Sequence, residues 1–306
     1  MENYSDVYVI GEDITDPYGG AFKVTKGLSS KYPDRVLSTP ISEAAIVGIG
    51  IGLSMKDFKP IVEIMFGDFI TLATDQIVNG ATKFSWMYGG NFNVPLVIRT
   101  PMGGNRGYGA THSQSLEKLY FGVPGLVMVA PSIFHNPGEL LENCVTDVFE
   151  PLIFVENKIL YPMELKKPSK RNYIDNFLYE MINDSNSLFP TVILKTDEAE
   201  VFDVSIITYG GMAQKAINAA KEKFMEDETS IKIIIPSIIK PIPEVDILHS
   251  AESSKNIIII EENNKYGGWA TELSCLIYEN YHEKLNYPII RIGAEETPIP
   301  SYIKQE

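Results

Sequence analysis

The chain has 306 residues, of which 44% are hydrophobic and 22% are charged, and its formal net charge is −14. This length is sufficient for two α/β domains with separate cores. The negative charge argues against a nucleic-acid partner, because phosphate binding needs clustered Lys and Arg. No apolar run is long enough to span a membrane, and the N-terminus lacks the pattern of a secretory signal. The two cysteines, Cys144 and Cys275, have neither metal-ligand nor disulfide spacing and indicate reduced thiols in a cytoplasmic protein.

Apolar runs alternate with helical patterns along the first half of the chain. The predicted strands are VYVIGE, PIVEIMF, VPLVIRTP, LVMVAPS and PLIFVEN. The helices predicted between them cover residues 23–33, 42–57, 71–87 and 136–147, with one more ending near Phe121. Such alternation is typical of a parallel sheet covered by helices on both faces. We therefore predict a first α/β domain over residues 1–163.

The composition changes after this domain. Residues 164–200 begin with clustered Lys and Arg and contain two prolines and the polar run DSNS, so we interpret them as an interdomain connection. A second α/β domain is predicted over residues 201–306. Its predicted strands are VSIITYG, IKIIIPS, NIIIIEEN and PIIRIG, and its helices lie at 212–226, after Pro243 and at 269–281.

His112 differs from the other three histidines, which sit in stretches typical of surface or loop positions. It follows a glycine-rich run and opens the polar tripeptide His112-Ser113-Gln114. A loop that lets the backbone approach a ligand and ends in an imidazole suits proton transfer. A turn histidine without catalytic function is the alternative.

Glu43 begins an otherwise uncharged helix directly after Ser42, a good N-cap residue. A carboxylate in buried surroundings at the mouth of a sheet can hold or pass a proton. The alternative is a first-turn carboxylate that the helix dipole stabilises. The glycines of GIGIG at 48–52 lie inside this helix and lack the order of a dinucleotide motif, so close helix packing is the better explanation for them.

Several motifs in their order resemble one enzyme family. They are STPISEAAIVGIGIGL, VEIMFGDFI, ATDQIVNGATK, HSQS, VPGLVMVAPS, ITYGGMAQKAINAA and IIIIEENNKYGGWATEL. Together they resemble the β subunit of the decarboxylating component of 2-oxo acid dehydrogenase complexes, in the transketolase-like superfamily. The resemblance implies a pyrimidine-binding thiamin-diphosphate fold followed by a C-terminal transketolase-like α/β domain. It also implies oxidative decarboxylation of a 2-oxo acid, with acyl transfer to lipoamide.

The resemblance assigns roles to four residues. Glu43 matches the glutamate that hydrogen-bonds the aminopyrimidine ring of thiamine diphosphate, and Phe69 matches the aromatic residue that packs on that ring. Met65 is expected to line the same pocket. His112 matches the histidine that donates a proton when the lipoyl disulfide is opened.

The resemblance also implies a partner. The GDG segment and downstream asparagine pair that hold Mg²⁺ and the diphosphate in this superfamily have no counterpart here, because Gly67-Asp68-Phe69 lies on another element. An α subunit is expected to supply them in a heterotetramer of two α and two β subunits (α2β2). A structural potassium ion is expected near Cys144, Val145 and Asp147.

Substrate and assembly stay open at the level of sequence. The family acts on pyruvate, branched-chain 2-oxo acids or acetoin. The alternatives are an acetoin-cleaving or carboligating enzyme that uses the same cofactor, and a non-catalytic scaffold β chain. The chain begins almost at its first strand and ends before the usual C-terminal helix, so docking to the lipoyl-bearing acyltransferase is left open.

Overall fold

The structure, a computed structural model, describes residues 1–182 and 188–304. Within these ranges, two seven-stranded sheets are accompanied by seven α-helices and several shorter helical turns. The strands are β1 (Val7–Glu12), β2 (Val36–Thr39), β3 (Lys59–Glu63), β4 (Val97–Met102), β5 (Val127–Val129), β6 (Leu152–Asn157), β7 (Tyr173–Ile174), β8 (Phe177–Ile182), β9 (Thr191–Lys195), β10 (Phe202–Thr208), β11 (Ile231–Pro236), β12 (Ile238–Lys240), β13 (Ser254–Asn264) and β14 (Ile290–Ala294). The α-helices are α1 (Leu28–Lys31), α2 (Glu43–Ser54), α3 (Phe84–Met87), α4 (Pro137–Thr146), α5 (Met212–Asp227), α6 (Glu244–Glu252) and α7 (Trp269–Tyr281). None of the helices in the described ranges combines the length and apolar character that crossing a membrane requires.

The first sheet has the strand order β12-β5-β6-β4-β3-β1-β2. Its strands pair in parallel, except that β12 pairs antiparallel with β5. The central strand β4 is buried along its whole length, as expected for a sheet covered on both faces. The predicted α/β class with a mainly parallel sheet is confirmed, whereas the short strand β2 was not predicted.

The second sheet has the order β14-β13-β10-β11-β9-β8-β7, with β10, β11, β13 and β14 mutually parallel and β7–β9 antiparallel. Strands β7, β8 and β9 lie in residues 164–200, so the segment predicted as a connection also extends this sheet. Its DSNS run lies outside the described residues. The domain boundaries at 163 and 200 stay a prediction.

The first half of the chain, which forms most of the first sheet, and the second half, which forms the second sheet, share the largest hydrophobic cluster. It contains Ile98 and Met128 of the first sheet together with Ile207 and Trp269 of the second half, all essentially buried. Strand β12 strengthens this connection, because it belongs to the second half by sequence and to the first sheet by pairing.

Three predicted helices are shorter or less regular than their sequence patterns indicate. The segment predicted at 23–33 is α-helical only over α1, because Gly27 adopts φ +88° before it. The helix predicted at 71–87 is replaced by three shorter elements. They are a 3₁₀ helix that begins earlier (Gly67–Ala73), a π-helical turn (Gln76–Ala81) and α3. The run Ile77-Val78-Asn79-Gly80 has low helix propensity, which favours this break. The helix predicted to end near Phe121 is a 3₁₀ turn, Glu117–Tyr120.

The glycines of α2 differ in whether they pack against the sheet. A Cβ at Gly50 would lie 2.7 Å from a Leu96 methyl and 2.8 Å from Val62, so close packing on the sheet requires glycine there. Gly48 and Gly52 have no described atom within 4 Å of such a Cβ. The packing explanation is therefore right for Gly50 and wrong for the other two within the described chain.

Candidate active site

The predicted site residues belong to segments at one edge of the first sheet. Strands β1, β3 and β4 are parallel neighbours, so their carboxyl ends meet at that edge. Ligands of α/β proteins bind in the crevice outside these strand ends. Glu12 ends β1, and a turn at 64–67 follows β3. The glycine-rich loop that carries His112 (residues 103–114), called the glycine loop below, follows β4.

Glu43 is the first residue of α2 and is only 5% exposed. Ser42 occupies the N-cap position as predicted, although its side chain makes no capping hydrogen bond. A second carboxylate, Glu12, lies within electrostatic range: burial, and then the charge of Glu43, raise the pKa of Glu12. Glu12 was not singled out from the sequence; its position at the end of a buried strand was the available signal.

The turn after β3 presents aromatic rings. Phe69 is half-buried, and its ring centroid lies 5.3 Å from that of His112, at an interplanar angle of 87°. Phe66, which sequence reasoning missed, lies 4.9 Å from the same imidazole. Met65 precedes Phe66 and is also half-buried. The 3₁₀ helix that carries Phe69 packs against α2, so the turn connects the surroundings of His112 with the helix of Glu43.

The glycine loop is closed at its base. The Gly103 N–H donates to the Gln114 carbonyl over 3.1 Å, and the His112 N–H donates to the Gly109 carbonyl over 3.2 Å. Gly103, Gly107 and Gly109 all adopt positive φ, which an L side chain would strain.

Asp68 connects this loop to the turn after β3 that carries Phe66 and Phe69, called the aromatic turn below. Both the Gln114 backbone N–H and its side-chain amide donate to Asp68 Oδ1, over 3.1 and 2.9 Å. The aspartate of Gly67-Asp68-Phe69 therefore orients the residue two positions after His112. Gly67 beside it cannot carry a side chain, because a Cβ would lie 2.2 Å from Met102.

A buried ion cluster braces the strands behind the site. Arg99 on β4 pairs with Glu63 at the end of β3 and, over 2.6 Å, with Glu156 on β6. The Tyr161 hydroxyl donates to Glu156 and lies 3.3 Å from the guanidinium. Burial raises the pKa of Glu63, although the charge of Arg99 opposes this shift.

Replacing Arg99 by Met should destabilise the chain by about 3–5 kcal/mol, because two buried carboxylates lose their cation. Denaturant unfolding measures the loss. Lys195→Met is the matched control, since the Lys195–Glu180 pair is exposed and should contribute less than about 1 kcal/mol. Equal losses in the two variants would contradict a structural role for the buried cluster.

The predicted cation region lies at the end of α4. Cys144 and Val145 are buried, whereas Asp147 is an exposed C-cap residue that accepts from Thr146 Oγ1. Burial raises the pKa of the Cys144 thiol to about 12, so this sulfur is protonated at neutral pH and a poor ligand. The cation site stays a prediction. Across residues 1–182 and 188–304, no group of three or more His, Cys, Asp or Glu side chains could hold a metal ion.

These side chains fit one end of thiamine diphosphate. A buried carboxylate can exchange a hydrogen bond with a ring nitrogen, and the rings of Phe66 and Phe69 offer surfaces for a flat heterocycle. The diphosphate and its Mg²⁺ require several oxygen ligands. The fit seen in the described residues concerns the pyrimidine end.

Comparisons with known proteins bear on the family and the fold of the chain. Residues 1–164 match the transketolase pyrimidine binding domain, and residues 196–306 match the transketolase C-terminal domain. The chain is 36% identical over 301 residues to the pyruvate dehydrogenase E1 component subunit beta of Gracilaria tenuistipitata var. liui, covering 98% of this chain and 87% of that one. It is 35% identical over 295 residues to the mitochondrial subunit beta-1 of Arabidopsis thaliana, covering 96% and 77%. A split gene transketolase, solved as an inactive beta4 tetramer, matches with a TM-score of 0.69 over 99% of this chain and 87% of that one; at 18% identity this likeness bears on the fold alone.

Proposed function

Since this chain belongs to the transketolase-like family that includes the β subunits of the pyruvate dehydrogenase E1 component, we propose that it is the β subunit of a thiamine diphosphate-dependent 2-oxo acid dehydrogenase. It would take part in oxidative decarboxylation of a 2-oxo acid and in acyl transfer to lipoamide. The observation that carries this proposal is the position of the buried Glu43: it lies near Glu12 at the carboxyl end of β1, on a helix packed against the segment that carries Phe69.

In this proposal, Glu43 holds the aminopyrimidine ring and controls its proton. Its burial makes a hydrogen bond to a ring nitrogen stronger than the same contact in water. Burial, and then the charge of Glu43, raise the pKa of Glu12, so a second carboxyl lies within electrostatic range of this ring site. Thiamine diphosphate, when bound, supplies the carbon nucleophile and the electron sink for decarboxylation. Phe69 and Met65 would line the ring pocket.

His112 would act at acyl transfer. Its imidazole is held edge-on to Phe66 and Phe69, and its Nδ1 lies 3.1 Å from the Thr111 hydroxyl. This arrangement leaves Nε2 to donate a proton to the sulfur that is released when the lipoyl S–S bond opens. The lipoyl group would come from an acyltransferase partner.

An α-type subunit is proposed to complete the site, bringing the Mg²⁺ and diphosphate ligands in an α2β2 assembly. The exposed face of α2 is a suitable contact surface for this partner, because the helix begins at Glu43. Its exposed positions Ala45, Gly48, Ile49 and Gly52 follow helical spacing, and Ile49 is 48% exposed. Just before the helix, Ile41 is 79% exposed. A monovalent cation near Cys144, Val145 and Asp147 would have to bind through oxygen atoms rather than the protonated thiol.

Pyruvate is the proposed substrate, because the similar curated proteins carry its name. Branched-chain 2-oxo acids and acetoin are the alternatives to compare with it. A cytoplasmic location is proposed from the two free cysteines, although relatives include mitochondrial and chloroplastic proteins.

Reconstitution tests the shared site. The purified chain alone should bind thiamine diphosphate weakly in calorimetry and release no CO₂ from pyruvate. Addition of its α-type partner, Mg²⁺ and cofactor should restore both. Ile49→Asp should block assembly in sedimentation, whereas Met225→Asp, at a 77% exposed position on α5, should assemble normally. Turnover by the isolated chain would refute the proposal.

A further inference from the structure

The second half of the chain holds both ends of the loop that carries His112. Three consecutive residues at the carboxyl end of β13, Glu262, Asn263 and Asn264, each make such a contact. Glu262 accepts from the Gly104 N–H over 2.8 Å, at the start of the loop. Asn263 and Asn264 bind residues just after its end. The asparagine pair therefore has a role other than holding a metal.

Glu262 uses both of its carboxylate oxygens. Its Oε1 accepts from Gly104, and its Oε2 accepts from the Asn157 side-chain amide over 2.5 Å. The orientation of that amide is determined by its other end, because Asn157 Oδ1 accepts from the Ile159 N–H over 3.2 Å. Gly103 and Gly211 pack against this pair, and a Cβ at Gly211 would lie 2.5 Å from Asn157.

The far end of the loop is held by a buried carboxyl. Glu117 is 1% exposed and accepts from the Tyr209 hydroxyl over 2.6 Å and from the Asn263 amide over 3.0 Å. Lys118 next to it donates to Asn264 Oδ1 over 2.6 Å. Several polar contacts thus join the loop ends to the second half.

A cleft of about 800 Å³ lies beside the loop, and both Gly104 and Glu262 line it. Further along the loop, Lys215 donates to Asn105 Oδ1 over 3.1 Å, and a Cβ at Gly107 would lie 3.4 Å from the Ser301 carbonyl. The hydrogen bond from Gly104 to Glu262 therefore fixes the start of the loop, and other contacts hold its middle.

We propose that Glu262 is a positioning residue for acyl transfer: from the second half of the chain, it sets the position of the His112 loop through Gly104. This inference rests on the proposed role of His112. Reaction rates are sensitive to such placement, since a displacement of about 1 Å can cost about 100-fold.

An exchange of the two paired side chains provides the test. In Glu262→Gln, the new amide can accept from Gly104 but then presents its NH₂ group to the NH₂ group of Asn157, so one contact is lost. In Asn157→Asp, two carboxylates face each other. The double variant Asn157→Asp/Glu262→Gln restores a donor–acceptor pair in the opposite direction and conserves the charge.

In the holoenzyme assembled with the α-type partner, each single variant should lower lipoyl acylation by about 10-fold or more. Pyruvate decarboxylation with an artificial electron acceptor should change less than acylation. The double variant should recover acylation to within about twofold, because the pair acts as a unit. Glu296→Gln, an exposed carboxylate lining the same cleft, is the matched control and should behave as the unsubstituted protein.

Hydrogen exchange provides a readout independent of activity. Backbone amides of residues 103–118 should exchange faster in each single variant and return to the original rate in the double variant. Unchanged exchange, or a double variant worse than both single variants, would overturn the inference. If His112→Ala leaves acylation intact, the proposed role of His112 fails instead, and the exchange data still decide whether Glu262 positions the loop.

Discussion

Glu43→Gln should reduce the exchange of the thiazolium C–H proton of bound thiamine diphosphate by about 10³-fold, within the range of about 10²- to 10⁴-fold that a positioned proton-transfer group contributes. Gln has nearly the same shape as Glu but cannot take up a proton from the aminopyrimidine ring. Because Glu43 is buried, a water molecule cannot readily replace it. The exchange is measured by NMR in the assembled α/β enzyme.

The control separates this role from that of the helix dipole. Glu139 lies in the first turn of α4 and is exposed, so Glu139→Gln removes a similar dipole interaction away from the site. A dipole role alone predicts a loss of about 0.3–1 kcal/mol in unfolding free energy for either variant. If Glu43→Gln showed only that loss and kept normal proton exchange, the assignment to the ring would be wrong.

His112→Ala should slow lipoyl acylation by about 100-fold or more, because loss of a general acid removes about 10²- to 10⁴-fold. Decarboxylation measured with an artificial electron acceptor should fall much less, since that step does not open the lipoyl disulfide. Rapid-quench assays of the assembled enzyme measure the two steps separately.

The exposed His249 provides the matched substitution, and His249→Ala should leave both steps unchanged. If His112→Ala lowered decarboxylation and acylation equally, the proposed role in acyl transfer would be wrong. The imidazole would then contribute to cofactor binding or to the stability of the aromatic turn. Spectroscopic titration of thiamine diphosphate with the variant distinguishes those two outcomes.

The fold was largely predictable because its central strands are buried on both faces. The apolar runs VPLVI and PLIFV cover the first residues of β4 and β6, and Pro95 and Pro151 lie shortly before these strands. The exceptions have local causes. Gly27 shortens α1 through its positive φ, and β12 is a short strand whose partner, β5, lies far away in sequence.

Glu43 and His112 could be proposed from the sequence because a single residue type carries the chemistry at each position, and their roles stay predictions. The residues that orient them were missed, because their partners are distant in sequence. Asp68 contacts Gln114 only because the glycine loop folds back, and Glu262 reaches Gly104 across 158 positions. Phe66 was not singled out from the sequence, because only the fold brings the His112 imidazole beside it.

The pairing of β12 with β5 also has a mechanical consequence. The polypeptide enters the second sheet, returns to the edge of the first, and enters the second again. A hinge-like opening of the two halves as rigid bodies would have to break the β5–β12 hydrogen bonds and expose the hydrophobic cluster that the halves share. Motions that admit or release ligands should therefore be confined to surface loops, with the framework beneath them held still.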